Sequence, residues 1–71
     1  MEKLDSVYVV LYTDISRQSN PILIGDVAFR NKEDAVNFIH EWTQHRAVYA
    51  EKWDDYFHGD DIYFIDELKL K

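Results

Sequence analysis

Residues 7–12 read Val7-Tyr8-Val9-Val10-Leu11-Tyr12, six apolar side chains in a row. β-Branched and aromatic residues fit a pleated strand, and a run without polar alternation fits one buried on both faces. Alternation puts Tyr8, Val10 and Tyr12 on one face and Val7, Val9 and Leu11 on the other. Both faces then need cover, and what supplies it decides the architecture.

Working outward, residues 14–21 are polar, hold the only proline and read as a connecting loop. Residues 22–29, from Ile22 to Phe29, read as a second strand, with a bulge or bend at Gly25-Asp26. Asn31 is a candidate N-cap with Asp34 three residues on, close to a capping box. Glu33 and Asp34 also suit the positive end of a helix dipole. Ala35, Phe38, Ile39 and Trp42 follow i, i+3, i+4, i+7 spacing, which predicts an amphipathic helix.

Residues 47–57 place Tyr49, Trp53, Tyr56 and Phe57 at helical spacing again. A single helix from Asn31 to Phe57 would run about 40 Å, whereas a strand of six to eight residues spans about 20–27 Å. The mismatch predicts a break near residues 45–48 and a short second helix. A turn at His58-Gly59-Asp60-Asp61 then leads to a last strand from Ile62 to Leu70. Ile62, Phe64, Leu68 and Leu70 share one face of it, and Asp66 falls on that apolar face. The expected fold is α+β, a two-layer sandwich in the order β-β-α-(short α)-β. It has a three-stranded sheet with a helix packed on one face and the last strand beside the first. One helix cannot cover both faces, so the second is left to the 48–57 segment or to a partner.

With 71 residues the chain is read as a single domain, 1–71. It has no cysteine, which excludes a disulfide scaffold, a thiol nucleophile and cysteine-ligated metals. The net charge is −6, unevenly spread. Residues 51–67 hold Glu51, Asp54, Asp55, Asp60, Asp61, Asp66 and Glu67 against Lys52 alone. Such a potential repels phosphate backbones and anionic membranes and attracts basic proteins or cations. No signal-peptide pattern and no apolar run of about 20 residues is visible, so a soluble, cytoplasmic protein is expected.

The pieces Val7-Tyr8-Val9-Val10, Ile24-Gly25, Ala35-Val36-Asn37-Phe38-Ile39 and Tyr63-Phe64-Ile65-Asp66-Glu67-Leu68 together resemble a family of small bacterial and phage domains of unknown function. The resemblance implies the ββαβ order and brings no catalytic residues with it. The stretch from His45 to Gly59 departs from that pattern by being longer and aromatic.

Candidate chemistry is sparse. Were residues 54–58 helical, Asp54 and His58 would be i, i+4 neighbours and a weak metal pair beside Asp55, Asp60 and Asp61. His40-Glu41 with His45 lacks the four-residue histidine spacing of a zinc-protease helix, because five residues turn the two rings about 140° apart. No serine or threonine sits in a nucleophile elbow, and two glycines make no phosphate loop. The aromatics Tyr8, Tyr12, Phe29, Tyr49, Trp53, Tyr56, Phe57 and Tyr63 could stack bases on a sheet, yet Lys and Arg are too few to track a backbone. Neither catalysis nor a cofactor is therefore expected, and no metal beyond the weak Asp54–His58 alternative. The remaining reading is a small acidic interaction module for a protein partner or for self-association. Its surface would combine Tyr49, Trp53, Asp54, Asp55, Tyr56, Phe57, Asp60 and Asp61. One version is a phage-type inhibitor of a host nucleic-acid enzyme, its carboxylates imitating phosphates. The alternative is a metal- or small-ligand-binding domain built on His58 and its neighbouring aspartates.

Overall fold

The apolar run extends into β1 (Ser6–Asp14), the strand on which the sheet is built. A computed structural model describes residues 6–16 and 20–70; the readings of residues 1–5, of residues 17–19 in the first loop and of Lys71 lie outside them. β2 (Ile22–Leu23) pairs antiparallel with β1, Leu23 opposite Leu11. Gly25 and Asp26 then take left-handed backbone, at φ 78 and 48. The excursion ends where Phe29 and Tyr8 exchange two backbone hydrogen bonds of 2.8 Å. Gly25 is required twice over, because a Cβ there would lie 2.6 Å from the Phe38 ring.

Asn31 caps α1 (Lys32–Trp42) as its side chain predicts, accepting from the Asp34 N–H at 3.0 Å. The far end is closed by backbone bonds and one side chain. His45 N–H reaches the His40 carbonyl and Gln44 N–H the Glu41 carbonyl, the paired bonds of a Schellman motif. Glycine usually occupies the left-handed position there; here Gln44 and His45 do, at φ 56 and 62. Thr43 locks the exit, its hydroxyl donating to the Ile39 carbonyl and accepting from Ala47 N–H.

After α1 the chain makes a hairpin, β3 (Val48–Ala50) and β4 (Asp55–His58), and then β5 (Asp61–Lys69). The sheet has five strands in the order β2-β1-β5-β4-β3, antiparallel throughout. β5 pairs with β1 along its whole length, Val10 opposite Ile65 and Tyr12 opposite Tyr63. β4 follows β5 only from Asp61 to Tyr63, so among the described residues β5 beyond Tyr63 has a strand on one side only. α1 packs on β1 and β5, and the core between them is Val10, Ala35, Ile39, Tyr56 and Tyr63.

Three parts of the expected fold are corrected. The sheet has five strands rather than three, and residues 47–57 form two strands rather than a short second helix. Helical spacing of Tyr49, Trp53 and Tyr56 coexists there with strand alternation, because Glu51 to Asp54 form the turn that breaks the count, Asp54 at φ 53. The second strand is also shorter than residues 22–29, since the Gly25-Asp26 turn ends it. The last strand does lie beside the first, and the helix covers one face.

Candidate functional site

The register fixes which side chains share each face. Tyr8, Val10 and Tyr12 of β1, with Tyr63 and Ile65 of β5 and Tyr56 of β4, point to the helix. The opposite positions are Val7, Val9, Leu11 and Thr13 on β1, Leu23 on β2, and Ile62, Phe64, Asp66 and Leu68 on β5. Phe57 and Asp55 of β4 and Val48 of β3 complete that face. No helix or second sheet lies over it among the described residues. The 48–57 segment that the sequence offered as cover widens the sheet instead; on this face Val9, Thr13, Asp55 and Ile62 are buried, and Leu23, Val48 and Leu68 exposed. At one end Trp53, packed edge-on against Phe57 at 6.1 Å, and Ile15 border a groove of about 500 Å³ lined also by Asp55 and Ile62.

The predicted surface residues divide between the two sides. Trp53, Phe57 and Asp55 belong to the open side, Asp55 buried at the groove and Trp53 59 % exposed. Tyr56 is a core residue on the helix side, its phenol pushed above its ordinary range first by burial. Tyr49 packs against it, the rings tilted at 46° and 4.9 Å apart, and donates to Asp54 at 2.7 Å, a bond that raises the Tyr49 phenol to about 12. Asp54 also faces Lys32 at 3.8 Å. Asp60 is exposed in the β4–β5 turn, its carbonyl accepting from Ile15 N–H. Asp61 accepts from the Tyr12 hydroxyl at 2.8 Å on the helix side, which raises the Tyr12 phenol. The carboxylates thus point in several directions rather than forming one array.

Asp54 and His58 are separated by an extended strand, roughly 13 Å along four residues, so the helical pair does not form. His40 and His45 do meet, their rings parallel at 6.2 Å, because the Schellman turn folds His45 back over the helix end. Among the described residues no three histidine or carboxylate side chains converge as a metal site. No described helix is long and apolar enough to cross a membrane.

A second cavity, of about 220 Å³, lies on the helix side and is lined by Tyr12, Ile24, Trp42, Asp61 and Tyr63. No sequence signal singles it out, because its walls come from four separate elements and loops. The open face was legible in part: the alternation of Val7, Val9 and Leu11 against Ile62, Phe64 and Leu68 marks it.

Comparison with known proteins finds no matching family model, no matching curated protein and no matching solved structure. The functional reading rests on the chain's own residues.

Proposed function

We propose that this protein is a non-catalytic interaction module that docks its open sheet face on a protein surface of aliphatic side chains flanked by arginine or lysine. The observation that carries the reading is the apolar sheet face over which no described helix or second sheet lies, with Leu23, Val48 and Leu68 exposed and Val7, Leu11, Phe57 and Phe64 half-buried. Exposed apolar side chains grouped on one face, with Ile15 and Trp53 exposed at its end, mark an interaction site.

Charge selects the partner. The outward strand positions carry Asp55 and Asp66 and no basic side chain. A second copy would set one acidic chain of net charge −6 against another; a basic partner turns the same charges into attraction and a faster encounter. Trp53, 59 % exposed and packed edge-on against Phe57, suits an arginine side chain, which can stack on its ring.

The test titrates an isotopically labelled sample with a synthetic peptide of alternating leucine and arginine, and with the same peptide carrying glutamate for arginine. The arginine peptide should shift the amides of Val9, Leu11, Phe57 and Phe64, weaken with salt and lose affinity in Phe64→Lys. Equal binding of the glutamate peptide, shifts confined to the helix side, or no shift overturns the reading. So does sedimentation at twice 8.5 kDa that reverts to one copy in Phe64→Lys, which assigns the face to a second copy.

A further inference from the structure

We infer that the helix-side cavity binds a methylated ammonium group, a ligand class independent of the open-face reading. Three aromatic residues, Tyr12, Trp42 and Tyr63, line it together with one carboxylate, Asp61, and the aliphatic Ile24. Aromatic faces attract cations through their quadrupole, and rings grouped around a small volume are the usual receptor for quaternary ammonium. At about 220 Å³ the cavity is smaller than the roughly 300–1,000 Å³ of a drug-sized site. It suits a head group, not an extended ligand.

The walls are held in place by their own contacts. Tyr12 and Tyr63 lie 5.5 Å apart at 47°, opposite each other in the β1–β5 register. Tyr12 donates to Asp61 at 2.8 Å, which fixes the carboxylate beside both rings. Trp42 packs on Phe38 at 5.6 Å. Tyr63 is buried whereas Trp42 is 51 % exposed, so Trp42 stands at the mouth. Trp42 is also the last residue of α1, where the helix dipole is negative and favours a cation.

The chemistry discriminates among cations. A divalent metal needs several oxygen ligands, and the lining supplies one carboxylate. An unmethylated ammonium keeps strongly held water and demands several acceptors on entry. A methylated ammonium donates few or no hydrogen bonds, sheds water readily and is matched by rings plus one negative charge. A free or lipid-borne choline-type head group and a trimethylated lysine side chain share this chemistry.

The experiment follows the Trp42 indole N–H by NMR while tetramethylammonium chloride is added against sodium chloride at equal ionic strength. Saturable shifts at Trp42, Tyr12 and Tyr63 are expected, with affinity about tenfold weaker in Trp42→Leu and in Asp61→Asn. Unchanged Val10 and Ile39 resonances verify that each variant is folded, and either variant alone suffices as the test. Choline and trimethyl-lysine amide then separate the two sources, the tighter binder naming the class. Absence of a saturable shift overturns the inference. So does an equal response to 3,3-dimethylbutan-1-ol, the uncharged carbon analogue of choline, because an apolar hollow indifferent to charge is then all that is present.

Discussion

Replacing Thr13 by valine should make this protein more stable, against the general rule that core substitutions destabilise. Thr13 lies on the open face of β1 opposite Ile62, is 5 % exposed, and its Oγ1 has no hydrogen-bond partner among the described residues. A buried hydroxyl without a partner costs about 1–3 kcal/mol of lost solvation. Valine has the same shape, removes that cost and adds a buried methyl, itself favourable by up to about 0.8 kcal/mol. A net gain of about 1–2 kcal/mol is large beside the roughly 4–10 kcal/mol that a chain of 71 residues holds in total. For a domain of this size each kcal/mol moves the melting midpoint by about 4–8 °C. With a urea slope near 1 kcal/mol per molar, the denaturation midpoint should rise by about 1–2 M at unchanged slope. Paired thermal and urea melts of wild type, Thr13→Val and Thr13→Ser read this directly. Serine keeps the hydroxyl and loses the methyl, so it should fall below wild type by about 1 kcal/mol. Should the valine variant melt at or below the wild-type midpoint, the hydroxyl is satisfied in solution and the reasoning is refuted.

Two further outcomes test other parts of the molecule. Gln44→Gly should raise stability by about 1 kcal/mol in the same melts, because a left-handed non-glycine residue costs about 1–2 kcal/mol and glycine costs little; a loss would mean the Gln44 side chain matters more than its backbone. Tyr49 is raised to about 12 by its bond to Asp54, so that bond contributes stability in full below the ordinary phenol range near 10 and loses it as pH climbs through 12. In Asp54→Ala one tyrosine should ionise closer to 10 in an ultraviolet titration, and the alkaline unfolding limb should move to lower pH.

Much of the fold was readable because its determinants are local. Asn31 with Asp34 announces the helix start, and the 3.6-residue spacing of Ala35, Phe38 and Ile39 gives its inward face, while Trp42, on the same stripe, ends half exposed. The uninterrupted apolar run gives β1. The helix stop carries no glycine, so only chain length argued for it; in three dimensions two left-handed residues and the Thr43 hydroxyl make it. The hairpin at residues 48–58 was misread for a physical reason. Tyr49, Trp53 and Tyr56 fit a helix by spacing, yet Tyr49 and Tyr56 are cross-strand partners, and Trp53 lies in the turn. Pairing between strands is a non-local fact that periodicity in one segment does not encode. The same limit hid the cavity of Tyr12, Trp42, Asp61 and Tyr63, whose members are scattered along the chain and meet only after β5 returns beside β1. The open face lay between these cases: alternation listed its side chains, and only the sheet order revealed that the hairpin extends the sheet beside them rather than folding over them.

The stretch of β5 beyond Tyr63, with a neighbour on one flank only, carries a further consequence. Its exposed backbone groups form a ready template on which another extended chain could polymerise. Asp66, Glu67 and Lys69 stud that stretch, and Ser6 and Lys69 hold the Glu67 carboxyl below its ordinary range, chiefly through the Ser6 hydroxyl, so it stays ionised into mild acid. These charges act as gatekeepers against fibre growth along that edge.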